Sequence, residues 1–138
     1  MMYKIGFISK EHINEVWQDV EPFVRHVVDM HDADLTIDDI HVGLLEGHYW
    51  LVAVTNESKL VGVFVCSLEI LKQVKTFFIT ICCGIDLANI KDEIIVFMKE
   101  GAKGVGASVI EWRGRHAFIK AFRGVAKVKH VAMTIDVE

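Results

Sequence analysis

Proline is almost absent from this sequence: Pro22 is the single example, and no stretch is rich in proline, glycine or serine. Such stretches usually form linkers or low-complexity segments. Internal repeats are absent as well. We therefore expect residues 1–138 to form one domain, because a chain of this length can bury a hydrophobic core of its own.

Long apolar runs and an excess of basic charge are also missing. The longest apolar runs, residues 60–66 and 77–83, are far too short to span a bilayer, and the N-terminal residues lack the apolar region of a signal peptide. The formal net charge is −4, which gives no general attraction to nucleic acid or to anionic lipid. We therefore expect a cytoplasmic protein with neither a nucleic-acid nor a membrane partner.

Cysteine is scarce, and the chain contains only Cys66, Cys82 and Cys83. Three cysteines cannot form a fully paired disulfide framework, and none stands in a C-x-x-C spacing, so we expect reduced thiols. The densest group of potential metal ligands contains His26 and His31. Because a separation of five does not place both imidazoles on one helical face, we expect no metal site.

The N-terminal part of the chain predicts one strand followed by helices. Tyr3–Ile8 is suited to a short strand, and Ser9 is placed to cap a helix. Apolar residues then recur at helical spacing from residue 13 to residue 28, interrupted by Pro22. We therefore expect a kink or two short helices. A further helix is predicted at residues 36–46, with Thr36 and Asp39 in capping-box positions and Gly47 at its end.

The pattern then changes from helical to strand-like. Residues 50–55, 60–70 and 74–83 are rich in β-branched and aromatic residues, and the short polar segments between them predict one hairpin turn and a second, looser one. A helix with an apolar face runs from residue 90 to residue 102. A strand at residues 109–112, a helix at 115–123 and a last strand at 127–137 complete the order. This order predicts an α/β protein with a mixed sheet.

Three short motifs follow one another in an informative order. Residues 36–40 read Thr-Ile-Asp-Asp-Ile, residues 83–86 read Cys-Gly-Ile-Asp, and residues 110–118 include Gly114-Arg115 and then Phe118. With the order of elements, these motifs resemble those of small GNAT-like proteins encoded by tailed phages. The resemblance implies a single domain with the GNAT acyl-CoA N-acyltransferase fold, an α/β fold with a mixed α+β sheet, located in the host cytoplasm or the virion.

The resemblance also implies acetyl-CoA as cofactor, held between the fourth and fifth strands with its pyrophosphate at a helix N-terminus. The residues that it assigns to cofactor binding are Cys82, Cys83, Gly84, Ile85, Asp86, Leu87, Arg113 and Arg115. Residues 83–89 contain one glycine and no basic side chain, and Asp86 would repel a phosphate or cap the next helix. We therefore predict a degenerate cofactor loop. Arg115 either holds an anion or pairs with a nearby carboxylate.

Two carboxylates are candidates for the general base that deprotonates an acceptor amine. Glu69 lies near the end of the third strand and Glu111 on the fifth, and a carboxylate in a cleft can serve as a base. The alternative is a strand-end carboxylate paired with Lys72 or Arg113. The general acid of the family is usually a tyrosine on the last helix, and the resemblance places Phe122 there, which cannot donate a proton.

Two classes of function remain. The first is acyl-CoA-dependent transfer to an unidentified amine, with an incomplete set of catalytic residues. The second is a non-catalytic protein that serves as a phage virion component or binds a host protein. A free strand edge at residues 127–137 would suit such assembly or a homo-oligomer. The acetyltransferase activity usual in the superfamily favours the first class, whereas the degenerate cofactor loop and Phe122 favour the second.

Overall fold

The computed structural model describes residues 2–30, 35–85 and 87–112, and this part contains five strands and three α-helices. In chain order they are β1 (Tyr3–Ile8), α1 (Ile13–Met30), α2 (Ile37–Glu46), β2 (Trp50–Asn56), β3 (Lys59–Leu71), β4 (Val74–Gly84), α3 (Lys91–Gly104) and β5 (Val109–Trp112). Short 3-10 turns at Lys10–His12 and Leu87–Ile90 precede α1 and α3. The helix expected at residues 115–123 and the strand expected at 127–137 lie outside the described residues.

The five strands form one mixed sheet in the order β1-β2-β3-β4-β5. β1 to β4 pair antiparallel, and β5 pairs parallel to β4 after the crossover through α3. Both hairpins turn through two residues with positive φ, Glu57 and Ser58 in the first, Lys72 and Gln73 in the second. The second turn is therefore as tight as the first, and not looser as expected, because this geometry matches the twist of the strands.

Helices cover both faces of the sheet. α1 and α2 lie on one face, and the core there contains Ile13, Val20, Val24, Ile40, Leu44, Leu51, Val63, Val65 and Ile81. α3 lies on the other, over Val52, Val54, Phe64, Cys66, Phe77, Ile79, Leu87, Ile90, Ile94, Met98 and Ala102. Successive residues of a strand point to opposite faces, so strands buried on both sides read as continuous apolar runs. No helix in the described ranges is long and apolar enough to cross a membrane.

A β-bulge interrupts β4 at Thr80. Two consecutive residues of β3 pair with Ile81 and Ile79, so Thr80 is an extra residue on β4. As a result Ile79 packs on the α3 face, whereas Ile81 packs against α1 and α2. A bulge bends its strand and increases the local twist. The last described pair between β4 and β5, Ile79 with Trp112, lies immediately before it.

Two predictions made from local sequence near the N-terminus, at Pro22 and at Ser9, differ from the structure. α1 runs as one helix through Pro22, so of the two expected outcomes, a kink or two short helices, the second is wrong and the first stays a prediction. Val20 and Val24, on either side of the proline, are fully buried, and their packing holds the segment helical although one backbone hydrogen bond is lost. Ser9 makes no side-chain cap; its hydroxyl lies 2.7 Å from Nδ1 of His12 in the 3-10 turn before α1.

The caps expected for α2 are confirmed at both ends. The Asp39 N–H donates to Thr36 Oγ1 over 3.1 Å, and the Thr36 N–H donates to Asp39 Oδ2 over 3.2 Å, which completes a capping box. Gly47 ends the helix in the left-handed conformation at φ 82°, a conformation in which glycine carries no Cβ penalty. The position of α2 along the chain is therefore set by its own sequence.

We expect Thr36→Ala to lower the free energy of unfolding by about 1 kcal/mol, because it leaves an N–H of the first turn without its acceptor. Thr36→Ser keeps the hydroxyl and is the matched control, with stability near that of the wild type. Urea denaturation followed by circular dichroism measures both variants. Equal stability of the alanine and serine variants would contradict a stabilising cap.

Candidate functional site

A cavity of about 510 Å³ lies between α2 and the C-terminal half of β3. We call it the α2–β3 groove. Its lining comes from α2, from the segment before β2 and from β3: Asp38, Asp39, Val42, Gly43, Glu46, His48, Tyr49, Ser67, Leu68 and Glu69. One of the two predicted general bases, Glu69, is therefore in its wall.

The groove exists because β3 extends beyond its neighbour β2. β2 begins at Trp50, which pairs with Cys66, so in the described part of the chain the rest of β3 from Ser67 onward pairs with β4 alone. On the opposite wall, a Cβ at Gly43 would overlap the ring of Tyr49. The lack of a side chain at Gly43 therefore lets that ring lie directly on α2.

The lining of the groove is strongly acidic. Asp38, Asp39, Glu46 and Glu69 contribute four carboxylates, and His48 is the single basic residue among the described residues of the lining. His48 Nε2 lies 3.0 Å from Glu46 Oε2, and both side chains are exposed. Asp39 is engaged in the cap of α2. Carboxylates that share one concave surface attract cations and repel anions.

Ser67 lies in this lining with a buried hydroxyl. The residue is only 6% exposed, and its Oγ has no hydrogen-bond partner within residues 2–30, 35–85 and 87–112. It lies on β3 two residues after Val65, and so shares the sheet face that α1 and α2 cover. Buried polar atoms are nearly always hydrogen-bonded, so an unpaired hydroxyl beside a cavity needs an explanation.

The sheet brings the two predicted bases, Glu69 and Glu111, to one face. Ser67 pairs with Phe78, and Phe78 pairs with Glu111, so the side chain of Glu111 points to the same face as Ser67 and Glu69. Two strand spacings, or about 10 Å, separate β3 from β5. Glu69 is exposed in the groove, whereas Glu111 is half-buried. No ion pair joins Glu69 to Lys72 or to any other described residue, and Arg113 lies outside the described part.

The predicted cofactor segment begins with two cysteines on opposite faces of β4. Cys82 pairs with Phe64 and packs into the core beneath α3, while Cys83 pairs with Val63. Burial raises the pKa of the Cys82 thiol well above its ordinary value, and Cys83 and Cys66 raise it further. A buried, protonated thiol is a poor nucleophile at neutral pH. Cys82 is therefore a core residue.

Gly84 and Leu87 form a packed corner at the end of β4. A Cβ on Gly84 would lie 2.7 Å from Leu87 Cδ1 and 2.8 Å from the carbonyl oxygen of Val61. The Ile85 N–H donates to that carbonyl over 2.8 Å, and the Leu87 side chain is buried. Internal packing thus accounts for the glycine.

The start of α3 carries acidic side chains. Asp92 and Glu93 occupy its first turn, and the N-cap Ile90 makes no side-chain hydrogen bond. These carboxylates complement the positive end of the helix dipole themselves. The other predicted cofactor residues, Asp86, Arg113 and Arg115, lie outside the described residues, and their roles stay predictions.

The fold is well represented among solved structures, although no protein-family model and no curated protein matches the sequence. An aminoglycoside acetyltransferase from an uncultured soil metagenomic sample, solved with sisomicin, has a TM-score of 0.70 at 11% identity, covering 99% of this chain and 97% of that one. Aminoglycoside N-acetyltransferase AAC(6')-Iy, solved with CoA, has a TM-score of 0.70 at 11% identity, covering 98% and 95%. Ribosomal-protein-alanine N-acetyltransferase from Brucella melitensis biovar Abortus 2308 reaches 0.71 at 10% identity, covering 100% of both chains. The chain has the GNAT fold.

The comparisons confirm the GNAT-like fold class, and they identify neither a substrate nor an activity for this chain. At identities of 10–11% they establish the fold and not the activity. All three proteins are described as acetyltransferases and none as a phage protein, so a phage origin stays a prediction.

The main site residues that the sequence analysis did not identify lie on α2, across the α2–β3 groove from Glu69. Asp38, Val42 and Glu46 recur every four residues along α2, which places them on one helical face. That spacing is visible in the sequence. The wall formed by β3, which includes Ser67, could not be recognised in the sequence. It depends on the register between β2 and β3, which leaves this end of β3 without a pairing partner on the β2 side among the described residues.

We expect Gly84→Ala to destabilise the protein by about 2 kcal/mol, because the new methyl group overlaps Leu87 and a backbone carbonyl. Gly104→Ala is the matched control, since nothing lies within 4 Å of its Cβ position. It should be neutral or stabilising by up to about 1 kcal/mol. Urea denaturation measures both. A stable Gly84→Ala variant would show that packing does not require this glycine.

Burial raises the pKa of the Cys66 thiol from its ordinary 9.0 to about 12. The unfolded chain loses this proton at lower pH than the folded protein, so the stability that the neutral thiol contributes is complete below pH 9 and is lost as the pH rises towards 12. Relative to Cys66→Ala, the wild type should lose up to about 1.4 kcal/mol of unfolding free energy per pH unit in that window. Urea denaturation of both proteins at several pH values measures the difference, and a constant difference would contradict the prediction.

Proposed function

We propose that the protein transfers an acyl group, such as acetyl, from an acyl-CoA to an amine bound in the α2–β3 groove. The observation that carries this proposal is the position of Glu69. It is an exposed carboxylate in the wall of an acidic cavity, on the strand next to the bulge at Thr80. An amine would thus be attracted, held and deprotonated in one place.

The strand edge after the bulge supports the binding of the pantetheine arm of CoA. β4 continues from Thr80 to Gly84 beyond its last described pair with β5. Backbone groups along an open strand edge pair with any extended chain that carries amides, and the pantetheine arm carries two. This edge begins at Thr80, two residues beyond Phe78, which pairs with Ser67 of the groove.

The described residues near the start of α3 do not fit the phosphates of CoA. Leu87 and the Val61 carbonyl fill the space at Gly84, and the first turn of α3 bears Asp92 and Glu93. Arg113 and Arg115 are the remaining candidates for this role. We therefore expect CoA affinity to come mainly from the pantetheine arm.

Glu69 would act as the general base. An amine is protonated at neutral pH, and its nitrogen attacks only after the proton has left. Glu69 can accept that proton because it is exposed in the groove and has no ion-pair partner among the described residues. When bound, the acyl-CoA would supply the thioester: the nitrogen–carbon bond forms, the carbon–sulfur bond breaks, and CoA leaves as a thiolate that takes its proton from solvent.

We expect Glu69→Gln to lower kcat for acetyl transfer by about 100-fold or more, with a smaller change in KM for the amine. The control is Glu100→Gln, which removes one negative charge from an exposed position on α3, across the sheet. Free thiol release from acetyl-CoA measures the rate. Equal kcat values for the two variants would remove Glu69 from the mechanism.

A second candidate is a non-catalytic GNAT-like protein, acting in a phage virion or on a host protein. The packed corner at Gly84 and Leu87 and the acidic start of α3 favour it, since neither suits an ordinary phosphate loop. Calorimetric titration with acetyl-CoA separates the two candidates. Micromolar binding supports the enzyme, and no heat at millimolar acetyl-CoA supports the non-catalytic protein.

A further inference from the structure

We propose that the α2–β3 groove binds an organic polycation, a flexible molecule with at least two ammonium groups, and that Ser67 Oγ accepts a hydrogen bond from it. The identity of this ligand as the acyl acceptor rests on the proposed function. Its binding does not, because the groove's charge and shape are independent of any acyl donor.

The carboxylates of the groove are spread along its length. Asp38 and Glu46 are eight positions apart on one face of α2, which separates them by about 12 Å along the helix axis. Glu69 faces them from β3. A single metal ion holds its ligands within about 2.6 Å, so it cannot engage both ends. A chain with separated ammonium groups can.

The C-terminal end of α2 adds to the attraction for a cation. Glu46 is the last residue of the helix, and the last turn contains no basic side chain. The negative end of the helix dipole therefore lies beside a carboxylate, an arrangement that a nearby cation stabilises. His48, in contact with Glu46, is exposed and can move aside.

The hydroxyl of Ser67 is a second, independent indication of a ligand. Ser67 is more than nine-tenths buried, its hydroxyl lacks a partner in the part of the chain that the structure describes, and it belongs to the lining of this cavity. An unpaired buried hydroxyl lowers the stability of the folded state, and a ligand N–H that reaches it would offset this loss. Removing the hydroxyl should therefore stabilise the free protein and weaken binding.

One partly exposed apolar residue suits the linker between the ammonium groups. Val42 on α2 is 49% exposed and belongs to the groove lining, and it lies between Asp38 and Glu46 at four-residue spacing along the helix. Methylene groups gain free energy by covering such surface. An apolar contact thus lies between two carboxylates, which suits the alkyl linker of a polyamine.

The first experiment is calorimetric titration of the full chain, without acyl-CoA, with spermidine and with butylamine at low salt. We expect spermidine to bind at least about tenfold more tightly, because it engages several carboxylates at once. Binding should weaken several-fold in high salt, since exposed charges are screened. Equal affinity for the two amines, or no binding of spermidine, would overturn the proposal.

The variants locate the site. Asp38→Asn with Glu46→Gln should weaken spermidine binding about fivefold. The control pair, Glu57→Gln with Glu100→Gln, removes the same charge from exposed positions away from the groove and should leave the affinity unchanged. Equal losses in both pairs would mean attraction by net charge alone and would refute a site in the groove.

Ser67→Ala should raise the stability of the free protein and lower its affinity for spermidine. We expect the melting temperature of the free protein to rise by about 3 °C, and spermidine binding to weaken about threefold. A lower melting temperature with unchanged affinity would show that Ser67 has no part in binding.

Acetyl transfer tests the proposed function separately. If spermidine binds in the groove but no acetyl group is transferred, the proposed function fails and the polycation site stands. If the titrations show no preference for spermidine and both amines are acetylated with equal kcat/KM, the enzyme stands and the polycation site fails.

Discussion

The pairing of β3 with β4 is the interaction on which the rest of the structure depends. Its ten residue pairs make it the longest ladder among the described strands. Val63 and Val65 from this ladder pack under α1 and α2, while Phe64 and Phe77 pack under α3, so one hairpin contributes to both cores. Because the central part of each strand is buried on both faces, a polar substitution there would leave an unsatisfied group in a core.

The same hairpin creates both parts of the candidate site through two irregularities. β3 extends past the start of β2, which leaves Ser67 and Glu69 beside a cavity instead of beside a strand. β4 carries an extra residue at Thr80, next to its last described pair with β5. A regular sheet of equal strands would have neither the groove nor the stretch of β4 that pairs with β3 alone among the described residues. Bulges are over-represented next to active sites.

Carboxylates occur both in the groove proposed for the amine acceptor and at the start of α3, near the place proposed for the acyl donor. The groove collects carboxylates around Glu69, which suits a cationic amine. The start of α3 is acidic too, at Asp92 and Glu93, where the GNAT fold would hold phosphates. The first arrangement favours an amine acceptor and the second disfavours an ordinary CoA loop. The proposed enzyme therefore relies more on its acceptor site than on its phosphate contacts.

The sequence by itself determined most of the described helices and strands, because caps, turns and apolar periodicity are local signals, whereas the GNAT-like fold class followed from the resemblance of three motifs to a known family. The capping box at Thr36 and the strand limits of β2 to β5 illustrate this. It also identified Glu69 as a candidate base. Only the tertiary structure decided that α1 continues through Pro22, that Gly84 is needed for packing, and that Ser67 lines an acidic groove. These three features depend on contacts between residues far apart in the chain, and strand register, which sets such contacts, is not encoded in any single segment.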